Sequence, residues 1–288
     1  MKIIRKLQKL PISKFTLALI GIFLISLALR FWNLGQFNKL VFDEVYYAKF
    51  ANDYLTGTEF FNAHPPLSQY LIAIGIWLGS HFPAGPDSIN TLTGSLRSTI
   101  SYRWLNALTG SFIPLIVAGI AYQLTCRQRY ALIAAVFAAT DGLFLVESRY
   151  ALNNVYLVSL GLLGQWLFLI YINSKKPRQW RLILAGIFLG SAAAIKWNGL
   201  SFLLGIYLLL VIANIVNFWE NKRSHSQKAI NFSEEVREAN IFKKVASIKL
   251  PIIILNFAIV PVFTYSLLWI PHLIMNPQYG FWQMQKEI

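Results

Sequence analysis

Charged residues and cysteine are both scarce in this sequence. Charged residues make up 13% of the 288 residues, whereas soluble domains contain about 25%. The single cysteine, Cys126, excludes a disulfide framework within one chain and a cluster of cysteine ligands around a metal. The glycine patterns of a P-loop and of a dinucleotide-binding turn are also absent, so no nucleotide site is indicated.

Apolar residues are correspondingly abundant, at 56% of the chain. They gather in long runs separated by short clusters of charge, a pattern that fits a chain dissolved in lipid. The net charge of +14 does not indicate nucleic acid as a partner, because the basic residues lie between the apolar runs, where they orient membrane spans. Residues 1–14 are basic and no small-residue cleavage site follows the first run, which predicts an uncleaved anchor.

Eight apolar runs are candidate transmembrane helices, and charge decides how many of them cross. The runs cover residues 15–29, 66–82, 104–125, 130–146, 155–172, 182–195, 200–217 and 250–270. The second is doubtful, because it starts at a pair of prolines and contains two glycines. If it does not cross and the N-terminus is cytoplasmic, 18 of the 26 basic residues are cytoplasmic; if it crosses, 10 are. The positive-inside rule therefore predicts an all-α, polytopic membrane protein with about seven spans.

In this topology residues 1–288 form a single transmembrane module. Residues 30–102 make a long first external loop, in which the run at 66–82 is a helix that dips into the membrane or lies on its surface. Residues 218–248 are polar and mixed in charge, which predicts a cytoplasmic linker with a short helix at about 233–244.

Two adjacent acids, Asp43 and Glu44, open the most informative part of the external loop. Tyr47, Ala51 and Tyr54 follow at helical spacing, so we expect an interfacial amphipathic helix with polar residues on its other side. Acids are favoured at a helix N-terminus, and a simple helix cap is an equally good interpretation of Asp43. Adjacent residues do not face each other on a helix. We therefore expect one acid to face a reaction and the other to hold structure.

Further ionisable residues lie at or near the predicted outer ends of the spans. Such residues near hydrocarbon indicate a functional site, although pairing among them, as between Arg149 and Glu147, is a simpler alternative. The basic ones are also suited to a lipid phosphate. The residues are Arg103, Asp141, Glu147, Arg149 and Lys196, together with His64 just before the doubtful run.

Motifs in a fixed order extend over nearly the whole chain. They are Phe42-Asp43-Glu44, Tyr47, Lys49-Phe50, His64-Pro65-Pro66-Leu67, Tyr102-Arg103, Asp141, Ser148-Arg149-Tyr150, Ser191, Lys196-Trp197-Asn198-Gly199, Asn276-Pro277, Phe281-Trp282 and Gln285. In these motifs and their spacing the sequence resembles the protein O-mannosyltransferases, the dolichyl- or polyprenyl-phosphate-mannose–protein mannosyltransferases of the GT-C superfamily. The resemblance implies a GT-C-type module of about seven transmembrane helices.

The resemblance also implies a reaction. Family members transfer mannose from a polyprenyl-phosphate carrier to Ser or Thr hydroxyls of proteins on the outer side of the membrane, with inversion at the anomeric carbon. Asp43 matches the family's catalytic aspartate and would be the base that takes the hydroxyl proton. Glu44 would position Asp43 or the acceptor. The residues implied in binding the lipid phosphate or the sugar are Arg103, Arg149, Lys196 and His64.

The implied partners are the polyprenyl-phosphate mannose donor, a protein acceptor containing Ser or Thr, and the membrane itself. We expect a multi-pass protein of the cell membrane, or of the endoplasmic reticulum membrane in a eukaryote, with a cytoplasmic N-terminus and an external active site. No cofactor is required by the resemblance, and a divalent metal is left open.

The sequence departs from the family pattern at two places. Asn153-Asn154 stand where the family usually has an acid shortly after Ser-Arg, so the acceptor- or metal-binding role of that acid is not carried over. The chain also ends at Ile288, where family members continue with further spans. We therefore expect the C-terminal part of the family to be absent, with a missing half or a dimer partner supplying the rest.

Three other interpretations stay open. A related GT-C transferase would keep the same donor chemistry and modify a lipid or glycan hydroxyl. A transporter is expected to carry charged residues at the bilayer midplane on broken helices, whereas here they gather near one interface. A truncated, non-catalytic scaffold is the third.

Overall fold

Helices form nearly all of the regular structure in the residues that the computed structural model describes, namely 13–81, 89–224 and 235–288. In chain order they are α1 (Lys14–Phe31), α2 (Glu44–Thr56), α3 (Leu67–Gly79), α4 (Thr99–Thr125), α5 (Gln128–Thr140), α6 (Gly142–Arg149), α7 (Asn154–Asn173), α8 (Gln179–Ala193), α9 (Leu200–Ser224), α10 (Glu235–Ala246), α11 (Leu250–Ile254), α12 (Val260–Met275) and α13 (Phe281–Glu287). A 3-10 turn, Trp197–Gly199, precedes α9, and a π-helical turn, Leu255–Ile259, joins α11 to α12. Two strands, β1 (Ile89–Leu92) and β2 (Ser95–Ser98), form an antiparallel hairpin.

Short polar side chains start three of the helices. The Ser13 hydroxyl accepts a hydrogen bond from the Thr16 N–H at 3.1 Å, and Ser98 accepts one from the Ser101 N–H at 3.2 Å. The Asp141 carboxylate accepts one from the Phe144 N–H at 2.9 Å. Since these bonds satisfy amides that the helix itself leaves open, Asp141 serves as the cap of α6.

Five helical segments in the described part of the chain are long and apolar enough to cross a membrane, namely α1, α4, α7, α9 with its preceding turn, and Leu250–Met275. The pair α5 and α6, bent by 53°, makes a sixth if it is one broken span. The seventh predicted span corresponds to α8, an apolar helix of only 15 residues. The prediction of an all-α polytopic protein with about seven spans is thereby confirmed. The doubtful run forms α3, a short apolar helix of 13 residues.

The outer faces of the long helices expose large apolar side chains. Leu24 on α1, Phe137 on α5 and Phe263 on α12 are 54%, 72% and 65% exposed. Apolar surface of this extent is typical of contact with lipid. The interior holds two main apolar clusters. One lies among α2, α3, α4 and α7 and forms the platform under α2, and the other joins α7, α8, α9 and the turn before α12.

Close helix packing at two glycines fixes the position of α8. A Cβ atom at Gly186 would overlap the Asn256 carbonyl oxygen in the π-helical turn, and one at Gly190 would overlap backbone atoms of Pro261. Small residues let helix backbones approach closely in membranes. The end of α8, which leads to Lys196, is therefore held tightly against α12.

The β1–β2 hairpin was not predicted from the sequence, and it changes the account of α2. Its turn residues Thr93 and Gly94 have φ of +44° and +86°, as in the two-residue turns that suit hairpins. Asn52 is buried against this hairpin, and Asp53 is 5% exposed. Protein therefore covers the polar side of α2, a contact that the sequence did not predict.

The region predicted as a cytoplasmic linker is more helical than expected. Helix α9 continues to Ser224, and α10 corresponds to the short helix predicted at about 233–244. Residues 225–234, which include the start of that predicted helix, lie outside the described residues. An ion pair of 3.3 Å between Lys243 and Glu220 joins α10 to α9.

Candidate active site

A tight turn at the start of α2 presents Asp43. Phe42 has a φ of +52° and its ring is 79% exposed, a backbone conformation that costs about 1–3 kcal/mol for a residue with a side chain. A hydrogen bond of 3.0 Å from the Val41 N–H to Glu44 Oε2 closes the turn on its buried side. The half-buried Asp43 side chain accepts no hydrogen bond from the first turn of the helix. The interpretation of Asp43 as a helix cap is therefore not supported.

Glu44 lies behind this turn and is completely buried. Its carboxylate faces the Arg103 guanidinium as a fork, with Nε 2.8 Å from Oε1 and Nη2 2.7 Å from Oε2. The Ala151 N–H also donates to Oε1, at 2.9 Å. Each oxygen thus accepts two hydrogen bonds, which come from α4, from the turn and from the segment before α7. Glu44 therefore holds the turn that carries Asp43.

Arg103 was expected at the lipid phosphate, and the structure places it inside the protein. Its side chain is 1% exposed. Besides the fork to Glu44, Nη1 donates to the Phe37 carbonyl at 2.8 Å and Nη2 to the Lys39 carbonyl at 2.8 Å. The guanidinium lies over the Tyr150 ring, 4.8 Å from its centroid. This geometry supports a structural role, and a direct phosphate contact by Arg103 stays a prediction.

Two rings, those of Tyr47 and His64, lie within electrostatic reach of the Asp43 carboxylate. Their centroids are 6.2 Å apart. Burial, with the negative charges of Asp43 and Glu147, raises the pKa of Tyr47 to about 12, against the opposing effect of the hydrogen bond from Asn153. The Tyr47 hydroxyl accepts a hydrogen bond from Asn153 Nδ2 at 2.9 Å. Tyr47 is therefore a neutral phenol that connects α2 with the start of α7.

Lys196 is a cation that the structure brings to the same cluster. Burial lowers the pKa of His64, the positive charge of Lys196 lowers it further, and the charge of Asp43 opposes them. The two segments meet because the Leu67 N–H donates to the Ala194 carbonyl at 3.1 Å, which ties the start of α3 to the end of α8. The cluster therefore combines an acid, a cation and an imidazole that is neutral near pH 7.

Glu147 and Asn154 lie together at a separate small cavity, and sequence reasoning did not pair them. Asn154 Nδ2 donates to Glu147 Oε2 at 3.1 Å, and both side chains line a cavity of about 220 Å³ together with Asn198. Glu147 was noted as a charge near the outer end of a span, and Asn154 as the place where an acid is missing. Their contact lies across the short break between α6 and α7, which hydropathy does not reveal.

The Arg149 side chain contacts α1 and not its neighbour Glu147. Its Nη1 donates to the Leu29 carbonyl at 3.0 Å and its Nη2 to the Trp32 carbonyl at 2.7 Å, so it binds the C-terminal end of α1 rather than Glu147. In the opposite direction, Arg30 of α1 donates to the Ala139 carbonyl near the end of α5 at 3.5 Å. These contacts join α1 to the broken pair, and a phosphate contact by Arg149 stays a prediction.

An apolar cavity of about 340 Å³ opens next to Lys196. It is lined by residues of α8, α9, α12 and α13, including Trp197, Leu203, Pro261 and Tyr265. At one end Trp197 Nε1 donates to the Tyr265 hydroxyl at 3.0 Å, and that hydroxyl donates to Gln285. In the described ranges, no group of three or more His, Cys, Asp or Glu side chains is arranged to hold a metal ion.

The family model for dolichyl-phosphate-mannose-protein mannosyltransferases matches residues 20–275. The chain belongs to this family. Among its curated members, dolichyl-phosphate-mannose–protein mannosyltransferase 4 of Candida albicans is 30% identical over 220 residues, which cover 73% of this chain and 28% of that protein. The polyprenol-phosphate-mannose–protein mannosyltransferase of Corynebacterium glutamicum is 26% identical over 249 residues, with coverage of 74% and 44%.

A solved structure of the same family has the same fold. The Saccharomyces cerevisiae protein O-mannosyltransferase Pmt1–Pmt2 complex bound to the sugar donor superposes with a TM-score of 0.71 and 22% identity, over 96% of this chain and 36% of that one. The chain therefore spans less than half the length of the family members it matches. The GT-C-type architecture expected from the motifs is confirmed.

Proposed function

We propose that this chain transfers mannose from a polyprenyl-phosphate carrier to Ser or Thr hydroxyls of a protein. The names of the family and of its matching members state a lipid-phosphate mannose donor and a protein acceptor. The observation that carries the proposal is that the start of α2, the loop with His64 and the segment with Lys196 come together. The Tyr47 and His64 rings lie 6.2 Å apart, and the Leu67 N–H donates to the Ala194 carbonyl. A base and a cation within one small site are what the displacement of a phosphate by a hydroxyl requires.

Asp43 is the proposed base. A hydroxyl is a weak nucleophile until its proton is removed, and the Asp43 carboxylate is half-buried and not engaged in capping its helix. The oxygen of the acceptor attacks the anomeric carbon as the bond to the carrier phosphate breaks, and the proton passes to Asp43. Attack from the side opposite the phosphate inverts the anomeric centre. Glu44 and Arg103 hold the turn and so position the base.

Lys196 is the proposed partner of the leaving phosphate. Negative charge develops on that group as the glycosidic bond breaks, and a cation already in place stabilises it. The apolar cavity beside Lys196 offers a place for the first isoprene units of the carrier. His64, which burial keeps neutral near pH 7, is suited to donate a hydrogen bond to the phosphate or the sugar. Arg149 is a further candidate for the phosphate.

The site is proposed to lie on the outer side of the membrane, with the N-terminus in the cytoplasm. This orientation rests on the distribution of the basic residues. A second subunit, or a segment equivalent to the remainder of the longer relatives, is the proposed source of acceptor contacts. The cell membrane, or the endoplasmic reticulum membrane in a eukaryote, is the proposed location.

The test is transfer of radiolabelled mannose from polyprenyl-phosphate mannose to a Ser/Thr peptide by membranes containing the chain. Asp43→Asn should lower the rate by about 10²- to 10⁴-fold, the usual contribution of a general base. Asp141→Asn is the matched control, because Asn caps a helix as well as Asp does, and it should retain activity. Transfer that survives in Asp43→Asn would overturn the mechanism, and a wild-type chain that transfers nothing would overturn activity of the chain alone.

A further inference from the structure

The last turn of α12 carries a buried histidine that the proposed reaction does not use. His272 and Asn276, the residue that follows α12, are both completely buried. Aromatic rings surround the imidazole, with centroids 5.4–5.8 Å from its own; they are those of Tyr54, Phe60 and Trp269. Tyr54 belongs to α2, and Phe60 to the segment between α2 and α3. The end of α12 is therefore packed against the helix that begins at Asp43.

Hydrogen bonds fix both the orientation of the Asn276 amide and the tautomer of His272. Asn276 Oδ1 accepts a hydrogen bond from the Phe60 N–H at 2.8 Å, so the amide nitrogen faces His272. This nitrogen donates to the His272 carbonyl at 2.9 Å and lies 3.3 Å from Nδ1. Because an amide nitrogen only donates, Nδ1 is the ring nitrogen without a proton. The Tyr54 hydroxyl therefore donates to Nδ1, at 2.6 Å.

These bonds hold the end of α2 that is farther from Asp43. Tyr54 lies about three helical turns beyond Asp43. The opposite end of α2 is held by the buried ion pair of Glu44 and Arg103. Since a short helix held at both ends moves as a rigid unit, the contact at Tyr54 helps to set the direction of the turn that carries Asp43.

Helix α12 also contacts the segment that carries Lys196. The Tyr265 hydroxyl accepts a hydrogen bond of 3.0 Å from Nε1 of Trp197, which directly follows Lys196. The buried Trp269 ring lies between Tyr265 and His272, with centroids 6.4 and 5.7 Å from theirs. These three α12 residues have helical spacing and share one face. One face of α12 thus touches both the helix of the proposed base and the segment of the proposed cation.

We propose that His272 and Asn276 are positioning residues for Asp43. Together with Tyr54 they form a hydrogen-bonded group, the α2–α12 network, that fixes α2 relative to α12 and so relative to Lys196. This inference rests on the proposed function. The network acts through α2, because a small displacement of a reacting group lowers the rate of the chemical step strongly. Its loss therefore affects kcat and leaves KM unchanged.

The position of α2 can be measured without turnover. In a Cys126→Ser background, spin labels on Tyr46→Cys in α2 and Phe263→Cys in α12, both exposed positions, report the spread of distances between the two helices. His272→Leu should broaden the distance distribution of the detergent-solubilised full chain. His272→Asn should keep it close to that of the unsubstituted chain, because the Asn oxygen accepts hydrogen bonds where Nδ1 does.

The transfer assay gives the second readout. His272→Leu should lower kcat by about 10- to 10²-fold without changing the KM of the lipid or of the peptide, and His272→Asn should recover most of the rate. Asn173→Ala is the control for lost stability, because it removes a bond to the Gln123 carbonyl at the other end of α4. That variant should change neither kcat nor the distance distribution.

Three results would overturn the positioning role: an unchanged distance distribution in His272→Leu, a broadened distribution with unchanged kcat, or an Asn variant that behaves like the Leu variant. If His272→Leu does not fold, Tyr54→Phe decides, because it removes only the hydroxyl that donates to Nδ1. A chain without substitutions that transfers no mannose would contradict the proposed function, whereas the distance distributions would still decide whether the network fixes α2.

Discussion

At the scale of single residues, the turn that carries Asp43 depends on a buried charged pair. Glu44 and Arg103 are both buried, and together they close the turn at Phe42. Burying two charges is costly, and only good geometry with additional hydrogen bonds offsets that cost. Here the fork geometry and the carbonyl acceptors around Arg103 supply both. Removing one partner leaves the other as an uncompensated buried group.

Glu44→Gln should therefore destabilise the protein by about 3–5 kcal/mol. The measurement is the thermal unfolding midpoint in detergent, with and without a lipid analogue. The control is Glu220→Gln, which removes the carboxylate of the partly exposed pair with Lys243 and should cost less than about 1 kcal/mol. Equal costs for the two variants would show that the Glu44–Arg103 pair does not hold the turn.

The sequence was sufficient to locate the two acids and to expect different roles for them, because helix periodicity is a local property. It did not show which acid is buried. The partners of Glu44 are Arg103, 59 residues away, and Ala151, 107 residues away. The phosphate assignment of Arg103 illustrates the same limit, since an arginine near a span end has the same sequence pattern whether it faces a ligand or a buried carboxylate.

At the scale of elements, the hairpin supports α2 through polar contacts, while its Leu92 packs in the platform cluster. Asn52 Nδ2 donates to the Leu92 carbonyl at 3.0 Å and to the Thr93 hydroxyl at 2.9 Å, and Asn52 Oδ1 accepts from Arg97 Nε at 2.9 Å. One amide thus joins both strands to the helix. The pattern of alternating residues in such short strands is too weak to predict them from sequence.

Asn52→Ala should release the hairpin from α2. We expect a loss of about 1–3 kcal/mol from unsatisfied buried groups and faster amide hydrogen exchange in residues 89–98. Asn173→Ala is the control, because Asn173 Nδ2 makes a comparable bond of 2.8 Å to the Gln123 carbonyl far from the hairpin. That variant should lose stability without faster exchange in the hairpin. Unchanged exchange in Asn52→Ala would mean that other contacts hold the strands.

The broken pair α5 and α6 was predicted as one span, since residues 130–146 are apolar throughout apart from Asp141. The signal for the break was present as Asp141-Gly142, a cap residue followed by a flexible one. Periodicity predicted the helices correctly, whereas the 53° bend between them depends on tertiary packing.

At the scale of the whole molecule, the orientation in the membrane is the main prediction that only the sequence supports. Cys126, at the turn between α4 and α5, is exposed, and Arg127 and Arg129 predict that it lies on the cytoplasmic side. A membrane-impermeant maleimide added to intact cells should label it only after permeabilisation. The variant Cys126→Ser/Glu59→Cys moves the thiol to the external loop and should be labelled without permeabilisation. Labelling in the reverse order would show that the predicted orientation is inverted.

The brevity of α5 has a consequence for the bilayer around the protein. With 13 residues it is about 20 Å long, whereas the hydrocarbon core of a bilayer is about 30 Å thick. The helix then turns by 53° into α6. Lipids beside this face must therefore thin or tilt to meet it. Such a local dent brings the headgroup layer closer to the level of α6. Under the proposed function, the phosphate of the lipid carrier would then meet the protein at that depth.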